Sequence, residues 1–462
     1  MAKFTDLPLE LLPRIIQHII KPSNLAVVCL VNRSFHTFAV PLLYERIATI
    51  SPWYRDANNR MMEVFRTFAT CPHLAQFVRR LDIRDFSQSF LSSSRYQHLL
   101  EYCLRGIQHT THLRSCAWTR DGSLQNRVLE ALQGCPDLCE LEITGNHEGN
   151  YDPPTLLGFR NLRKISIIKP SRPVLDLLPR WLGYTGHSLR SLSLIYQDST
   201  LVTDNLLEEL SPNLPCIEHF YLVGCIRVTH RGVWAAIHNN LQGMLGLGVE
   251  GFSPSFDIVL FSQMCRKGGG LTSLKSITLT THPDLVMNTW TEGLMDLLSE
   301  SPLEMFHIYS TENNKNHTID PHLCSRLIAS HGHRLRRFSV HRLRITLDTL
   351  SSVCAGCPEL QQLFVHVPSL TALESIGPIL SQARKLRSVH VNVDPRPLRI
   401  EDVALAVVTH CSPTIVQFGI NTRVWQVSRK VTKQDDGTVT TRPVLSVYEH
   451  PEKPEQFLIV RG

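Results

Sequence analysis

An apolar triplet that recurs along most of the chain limits the possible folds more than any other feature. Its pattern is Leu-x-x-Leu-x-Leu, in which Ile, Val, Phe, Cys or Trp replaces some leucines, and it starts after residue 71. The middle residues of the regular copies are Leu81, Cys116, Leu141, Ile165, Leu192, Phe220, Ile277, Phe306, Phe338, Leu363, Val389 and Phe418. An irregular copy at residues 241–249 brings the number to thirteen. Because alternate residues of a strand share a side, each triplet predicts a short strand with one buried face.

The spacing of the copies identifies the repeat. Between Leu81 and Phe418 the mean period is about 28 residues, within the range of roughly 20 to 29 residues for leucine-rich repeats. One repeat cannot bury its three apolar anchors alone, so neighbouring repeats must stack and share a core. The step Cys-Pro-x-Leu at Cys71, Cys135 and Cys357 resembles the cysteine-containing class of these repeats. We predict an α/β fold in which residues 71–421 form a leucine-rich-repeat solenoid, or horseshoe, with parallel strands on its concave face.

The segments after and before the repeats follow other patterns. Residues 49–70 carry no triplet and are interpreted as a linker. In residues 422–462 apolar residues alternate with polar ones on both sides of Asp436-Gly437, which predicts a β-hairpin. Its expected role is to cap the open end of the solenoid, and a binding role is the alternative. Pro443 marks its strand as an edge strand.

Residues 1–48 predict three short helices that bury only part of their apolar surface. The first starts near Leu7, and its apolar residues cover a wide surface made by Leu11, Leu12, Ile15, Ile16, Ile19 and Ile20. Pro22 ends this helix, a second one follows, and Ser34 is predicted to cap the third. A unit of this size is too small to bury so many large apolar side chains by itself. We therefore expect another polypeptide to cover the remainder.

Four blocks of this segment resemble the F-box in their order and spacing. They are Leu7 to Leu12, Ile15-Ile16, Leu30 to Phe35 and Pro41 to Tyr44, and the resemblance covers residues 4–47. Asn32 departs from it, because many F-boxes have Cys or Ser there. The resemblance implies docking onto the Skp-family adaptor of a cullin-RING ubiquitin ligase, with contacts by Leu7, Pro8, Leu11, Ile15, Val31, Phe35, Pro41 and Leu42. The alternative is that the segment only forms a helical cap on the repeats.

The triplet register also predicts which side chains a partner of the solenoid would meet. The third, fifth and seventh positions of Leu-x-x-Leu-x-Leu-x face the concave side, and aromatic, His and Arg residues cluster there. The predicted substrate contacts are Tyr221, His307, Tyr309, Arg337, His341, Phe364, His366 and His390. The alternative is that strand surfaces simply favour such residues. Of the basic run at residues 331–344, only Arg337 and His341 fall at concave positions, so most of this run is interpreted as a solvated face.

No pattern in the sequence indicates catalysis or a bound cofactor. Cys354 and Cys357 have the spacing of a zinc or redox pair, but no second pair lies nearby, and they are interpreted as core cysteines. Gly268 to Gly270 lack the spacing of a phosphate loop and are interpreted as an inserted loop. We therefore expect no enzymatic activity, no cofactor and no metal site.

Charge and composition restrict the partners and the compartment. The 47 Lys and Arg residues against 41 Asp and Glu leave a net charge of +6, too mild for a nucleic-acid-binding protein. No apolar run approaches the roughly 18 residues of a membrane span. The start of the chain lacks the pattern of a signal peptide, and the thirteen cysteines are an odd number. We expect reduced thiols and a location in the cytoplasm, the nucleus or both.

These patterns together predict a binding protein. The F-box resemblance implies the substrate-recognition subunit of an SCF-type ubiquitin ligase, which binds the Skp-family adaptor and, through it, the cullin and RING subunits. The repeats would bind a protein substrate for ubiquitination. The alternative is a non-degradative scaffold that uses the same two regions to assemble other complexes.

Overall fold

A computed structural model describes residues 8–19, 21–49, 57–84, 94–196, 199–241, 243–281, 287–310, 317–395, 399–433 and 439–447. The chain divides into two compact units. Unit 1 comprises Met1–Tyr196 with Pro212–Cys216, and unit 2 comprises Gln197–Ser211 with Ile217–Gly462. Short 3-10 helices span Leu9–Leu11, Pro153–Gly158 and Ser211–Asn213.

Unit 1 combines three N-terminal helices with a parallel sheet. Its helices are α1 (Leu12–Ile16), α2 (Pro22–Cys29), α3 (Arg33–Glu45), α4 (Ala57–Thr70), α5 (Pro72–Ala75), α6 (Ser94–His109), α7 (Asn126–Gln133) and α8 (Arg172–Thr185). Its strands are β1 (Arg46–Thr49), β2 (Arg80–Ile83), β3 (Ser115–Trp118), β4 (Glu140–Thr144), β5 (Lys164–Ile168) and β6 (Ser191–Ile195). Consecutive strands pair in parallel from β1 to β6.

The three N-terminal helices are short, and their caps explain where they begin. Pro22 occupies the first turn of α2, where its missing N–H costs no hydrogen bond. Asn32 caps α3, because its side-chain oxygen accepts a hydrogen bond from the backbone N–H of Phe35 at 3.0 Å. The prediction that Ser34 caps this helix is therefore wrong by two residues. The predicted start near Leu7 lies outside the described residues, in which α1 begins at Leu12.

Two elements of unit 1 were not predicted. Strand β1 pairs in register with β2, so the parallel sheet starts before the first triplet. Residues 49–70, interpreted as a linker, contain α4, whose Phe65 and Phe68 are fully buried. Phe65 also stacks on Trp118 of β3, with ring centroids 6.5 Å apart. The described part of this segment, α4, therefore packs into the core of unit 1.

Unit 2 continues the alternation of strands and helices. Its helices are α9 (Asp204–Leu210), α10 (His230–His238), α11 (Ile258–Gly268), α12 (Met287–Leu298), α13 (Pro321–His331), α14 (Leu347–Gly356), α15 (Leu370–Leu380) and α16 (Ile400–His410). Its strands are β7 (His219–Val223), β8 (Gly246–Glu250), β9 (Ser276–Thr281), β10 (Met305–Ser310), β11 (Arg337–Arg344), β12 (Gln362–Val367), β13 (Ser388–Val393), β14 (Gln417–Ile420), β15 (Arg423–Lys433) and β16 (Val439–Val447).

Strands β7 to β14 pair in parallel in chain order, and the triplet anchors form the core behind them. Phe306 and Phe338, at equivalent places in β10 and β11, stack at 6.0 Å and are fully buried. Asp257 and Ser369 begin α11 and α15 by accepting hydrogen bonds from backbone N–H groups of the first turn. Across both units the thirteen triplets lie on β2 to β14, which confirms the predicted leucine-rich-repeat α/β fold.

The C-terminal end of the sheet is antiparallel. Strand β15 pairs with β14 and with β16 in antiparallel register, which confirms the predicted hairpin. Its predicted turn at Asp436-Gly437 lies outside the described residues. Pro443 lies in β16, the last strand in the sheet order. The hairpin thus covers the edge of the last parallel strand, as a cap requires.

The stacked anchors give a first testable prediction. Replacing Phe338 with Ala should lower the free energy of unfolding by about 3–5 kcal/mol, because it removes a fully buried ring and leaves a cavity beside Phe306. Denaturant unfolding followed by circular dichroism measures the change. The matched control is Val431→Ala, an exposed position of β15, where a change within about 0.5 kcal/mol is expected. Equal losses in both variants would contradict the shared core.

Candidate functional site

The N-terminal helices expose a set of large apolar side chains. Leu12, Ile16, Leu25 and Ala39 form the buried core of the three helices. The exposed members are Leu9, Leu11, Ile15, Val27, Leu30 and Val31, with exposed fractions from 39% to 86%. These six residues are called the apolar N-terminal surface below. Helices this short bury only one side of each apolar segment, so the other side meets solvent.

The predicted adaptor contacts divide into two groups. Pro8, Leu11, Ile15 and Val31 are exposed. Phe35, Pro41 and Leu42 are half-buried, and Phe35 and Leu42 pack against the helical core. Leu7 lies outside the described residues. Sequence reasoning missed Leu9, Val27 and Leu30, although Leu9 and Leu30 stand inside the quoted F-box blocks.

In unit 2 the third, fifth and seventh triplet positions lie on the sheet face opposite the core anchors. We call this the outer strand face of unit 2. Tyr221, Tyr309, Arg337, His341 and His366 are half-buried there. The Tyr221 ring stacks on His219 at 6.3 Å and lies against Gly248 of the next strand, which has no side chain to displace it. Part of the predicted substrate face is therefore accessible.

Three of the predicted substrate contacts are buried. His307, Phe364 and His390 are exposed by only 5%, 9% and 8%. Phe364 of β12 stacks on His390 of β13 with ring centroids 6.3 Å apart, and His390 lies against Gly419 of β14. Parallel strands lie only about 4.8 Å apart, so large side chains at equivalent positions cover one another. The expectation that these three side chains are available to a partner is corrected accordingly.

His307 is the most deeply buried of these three side chains. Burial is the main cause that lowers the pKa of His307 to about 3, and the positive charges of His341 and Arg337 contribute to the same shift. The imidazole is therefore neutral at physiological pH. Its role on the outer strand face is packing rather than attraction of an acidic group.

The corresponding face of unit 1 carries paired charges that sequence reasoning did not identify. Asp82 is buried and accepts hydrogen bonds from Arg46 of β1 and from Arg80, with ion-pair distances of 3.0 Å. Arg84 donates to Glu142 at 2.7 Å. The signal was present, because Arg80, Asp82 and Glu142 occupy the third and fifth triplet positions. These charges satisfy one another within the unit.

The cysteine pair and the glycine run, whose spacing was compared with zinc, redox and phosphate-binding motifs, have structural roles in the fold. Cys354 and Cys357 are fully buried, and burial raises the pKa of each thiol to about 12. Neither is a reactive thiolate at neutral pH. Gly269 has a left-handed backbone, with φ of 64°, and ends α11 in the conformation that favours glycine. In the part of the chain that the structure describes, no group of three or more His, Cys, Asp or Glu could hold a metal ion. All thirteen cysteines are free thiols.

Within the same described ranges, no helix combines the length and apolar character needed to cross a membrane. The solved structures that resemble the chain include the following two. One is the crystal structure of the Rad7 and Elc1 complex in yeast, at 14% identity and a TM-score of 0.40, covering 86% of this chain and 96% of that chain. The other is the leucine-rich repeat-containing protein LegL7 from Legionella pneumophila, at 11% identity and a TM-score of 0.28, covering 86% and 92%. Similarity this low carries no functional information.

No protein-family model matches the chain. No curated protein matches it either. The leucine-rich-repeat fold is therefore assigned from the strand order, the register and the buried anchors themselves.

The buried imidazole gives a second testable prediction. The pKa of His307 is about 3 in the folded protein, whereas the ordinary value for histidine is near 6.5. As the pH falls from 6.5 towards 3, this residue is therefore protonated in the unfolded state but not in the folded state, and the free energy of unfolding decreases. In His307→Gln this loss should shrink by up to about 1.4 kcal/mol per pH unit. Unfolding free energies at pH 6.0 and pH 5.0 measure it. An unchanged pH dependence in the variant would show that His307 is protonated in the folded protein.

Proposed function

We propose that this protein is the substrate-recognition subunit of an SCF-type ubiquitin ligase. The observation that carries the proposal is the apolar N-terminal surface, which six exposed side chains form beside a separate helical core. Exposed apolar clusters of this kind mark protein-interaction sites. The four-block resemblance to the F-box supports the Skp-family adaptor as the proposed partner and, through it, the cullin and RING subunits.

In this proposal the protein contributes position rather than chemistry. The adaptor holds the N-terminal helices, and the outer strand face of unit 2 holds a substrate protein. Binding both at once raises the effective concentration of substrate lysines near the conjugating enzyme. The reactive thiols would belong to the partner proteins, because the cysteines with shifted pKa values in this chain are all made less acidic by burial.

The accessible part of the outer strand face supports the substrate half of the proposal. Tyr221, Tyr309, Arg337, His341 and His366 are all half-buried, so each is held in place while part of it remains open to a partner. Aromatic side chains and arginine bury large areas at low entropic cost, which makes them common anchors of interfaces.

Adaptor binding gives the third testable prediction. Replacing Leu11 and Ile15 together with Asp should abolish copurification with the Skp-family adaptor and cullin, because two charges would enter an apolar interface. The matched control is Leu260→Asp in α11, since Leu260 is 42% exposed and Leu11 and Ile15 are 39% and 43% exposed. Pull-down from cells that express the tagged full-length chain measures binding.

The Leu260→Asp control distinguishes a specific loss of adaptor binding from a general effect of added charge. The Leu260→Asp variant should bind the adaptor like the parent protein, and all variants should share its thermal unfolding midpoint. Retained adaptor binding by the Leu11→Asp, Ile15→Asp variant would refute the F-box assignment. Adaptor binding without cullin, in the parent protein, would instead favour the non-degradative scaffold.

Substrate capture gives the fourth testable prediction. The Tyr309→Ala, Arg337→Ala variant should lose proteins that the parent captures when the proteasome is inhibited, while adaptor binding is unchanged. Both positions lie on the outer strand face, and each replacement removes an anchor from a half-buried site. Tyr184→Ala, at an exposed position of α8, serves as the control. Quantitative mass spectrometry compares the three samples, and identical captured sets would contradict the assignment of this face.

A further inference from the structure

Strand β11 contains an insertion relative to its neighbour β12. Ser339 lies opposite Phe364, whereas Arg344 lies opposite His366, so five residue steps of β11 match two of β12. Arg342 lies in this bulge and has a left-handed backbone, with φ of 57°. Residues other than glycine are strained in that conformation, and such strain concentrates at functional sites. The bulge is therefore a candidate position for ligand binding.

The bulge presents two arginines on the outer strand face of unit 2. The Arg342 guanidinium lies 5.2 Å from the centroid of the Tyr309 ring, and its Nη1 donates to the Tyr309 hydroxyl at 3.2 Å. Arg344 is half-buried, and its flanking residues Leu343 and Ile345 point into the core. Its side chain therefore points to the opposite face, as alternation along a strand requires. Tyr309 holds the Arg342 guanidinium, and the strand register places the Arg344 side chain beside His366.

Neither arginine has an acidic partner in the described part of the chain. The Nε atom of Arg344 is shielded from solvent and has no hydrogen-bond acceptor. A buried donor without an acceptor costs free energy, and the cost is larger for a charged group. The nearby carboxylate of Asp394 reaches His366 instead, with 3.8 Å between Oδ2 and Nε2. Among the described residues, neither guanidinium therefore forms an ion pair.

The surrounding side chains are polar, and the one nearby acid named above, Asp394, lies against His366. Tyr309 and His341 stack with ring centroids 6.0 Å apart, and Asn392 Nδ2 lies 3.4 Å from His341 Nδ1. Burial is the main cause of the lowered pKa of His366; Asp394 opposes the shift and Arg344 adds to it. His366 is therefore neutral at physiological pH. Hydroxyl, imidazole and amide groups thus border the arginines and can form further hydrogen bonds to a ligand.

We propose that Arg342 and Arg344 form a binding site for an oxyanion, a phosphate or carboxylate group carried by the substrate protein. The proposal rests on the proposed function and narrows the substrate to a segment with anionic side chains. Guanidinium N–H groups form strong charge-assisted hydrogen bonds to such oxygens. An oxyanion against Arg344 would also offset the cost of its unsatisfied donor. A nucleic-acid backbone is disfavoured, because it needs a longer row of unpaired cations than one bulge supplies.

Three peptides that differ at two positions test the site on the full-length chain. A Gly-Ser peptide carries two phosphoserines, two glutamates or unmodified serines, and fluorescence anisotropy measures binding. At least one anionic peptide should bind, and the neutral peptide should not. Arg342→Gly and Arg344→Gln should each weaken the binding by about tenfold, as expected for loss of a charge-assisted hydrogen bond. A preference for the phosphopeptide identifies phosphate as the group, and equal binding identifies any oxyanion.

Matched variants separate this site from a general charge effect. Arg342→Gly keeps the left-handed backbone without strain, so it should fold like the parent protein. Arg387→Gln removes one exposed charge just before β13 and should change the affinity by less than about twofold. The proposal is overturned if no anionic peptide outbinds the neutral one, if Arg387→Gln weakens binding equally, or if a single-stranded RNA hexamer binds more tightly than both anionic peptides.

Adaptor binding of the same variants distinguishes the two proposals. Arg342→Gly and Arg344→Gln should still copurify with the Skp-family adaptor, since they lie in unit 2 and the apolar N-terminal surface lies in unit 1. If the parent protein binds the anionic peptide but never the adaptor, the oxyanion site stands and the ligase function fails. If the parent protein binds the adaptor but no anionic peptide, the adaptor-binding part of the ligase proposal stands and the oxyanion site fails.

Discussion

The structure depends on the inability of one repeat to bury its own apolar face. A strand of four to six residues offers two or three anchors, and one repeat alone cannot bury them completely. The next repeat supplies the missing neighbour, as the stacked rings of Phe306 and Phe338 show. Each side chain then loses contact with water only because equivalent side chains flank it. The parallel register follows, because it keeps equivalent anchors side by side.

The same constraint explains the ends of the repeat region. The last parallel strand, β14, would leave backbone groups unpaired, and the antiparallel β15 pairs with them. In unit 1 the parallel sheet begins with β1, which follows α3 directly. The three N-terminal helices bury one side against one another and leave the other side open. An end that hides its apolar surface acts as a cap, whereas an end that exposes it is suited to bind another protein.

The period of the triplets predicted thirteen strands because burial of alternate anchors leaves a direct mark on the sequence. Features that depend on contacts between distant residues left no such mark. Strand β1 has no full triplet, and α4 was missed because its buried Phe65 and Phe68 stand in a segment without the repeat. The burial of His307 and Phe364 was missed because the triplet register assigns each side chain to a face of the sheet. It does not show how far the side chains of the neighbouring strands cover it. The insertion before Arg344 is visible only as a change of register.

Regular stacking also limits where such a sheet can recognise a ligand. Where the register is continuous, large side chains on neighbouring strands cover one another, as Phe364 and His390 do, and little of each remains available. Where the register changes, side chains on neighbouring strands no longer lie at equivalent positions, so they cover one another less. In β11 the bulge brings Arg342 onto the ring of Tyr309 and leaves Arg344 beside His366, with no ion pair to Arg344 among the described residues. Irregularities of the repeat, rather than its regular positions, are therefore where specificity can arise on this face.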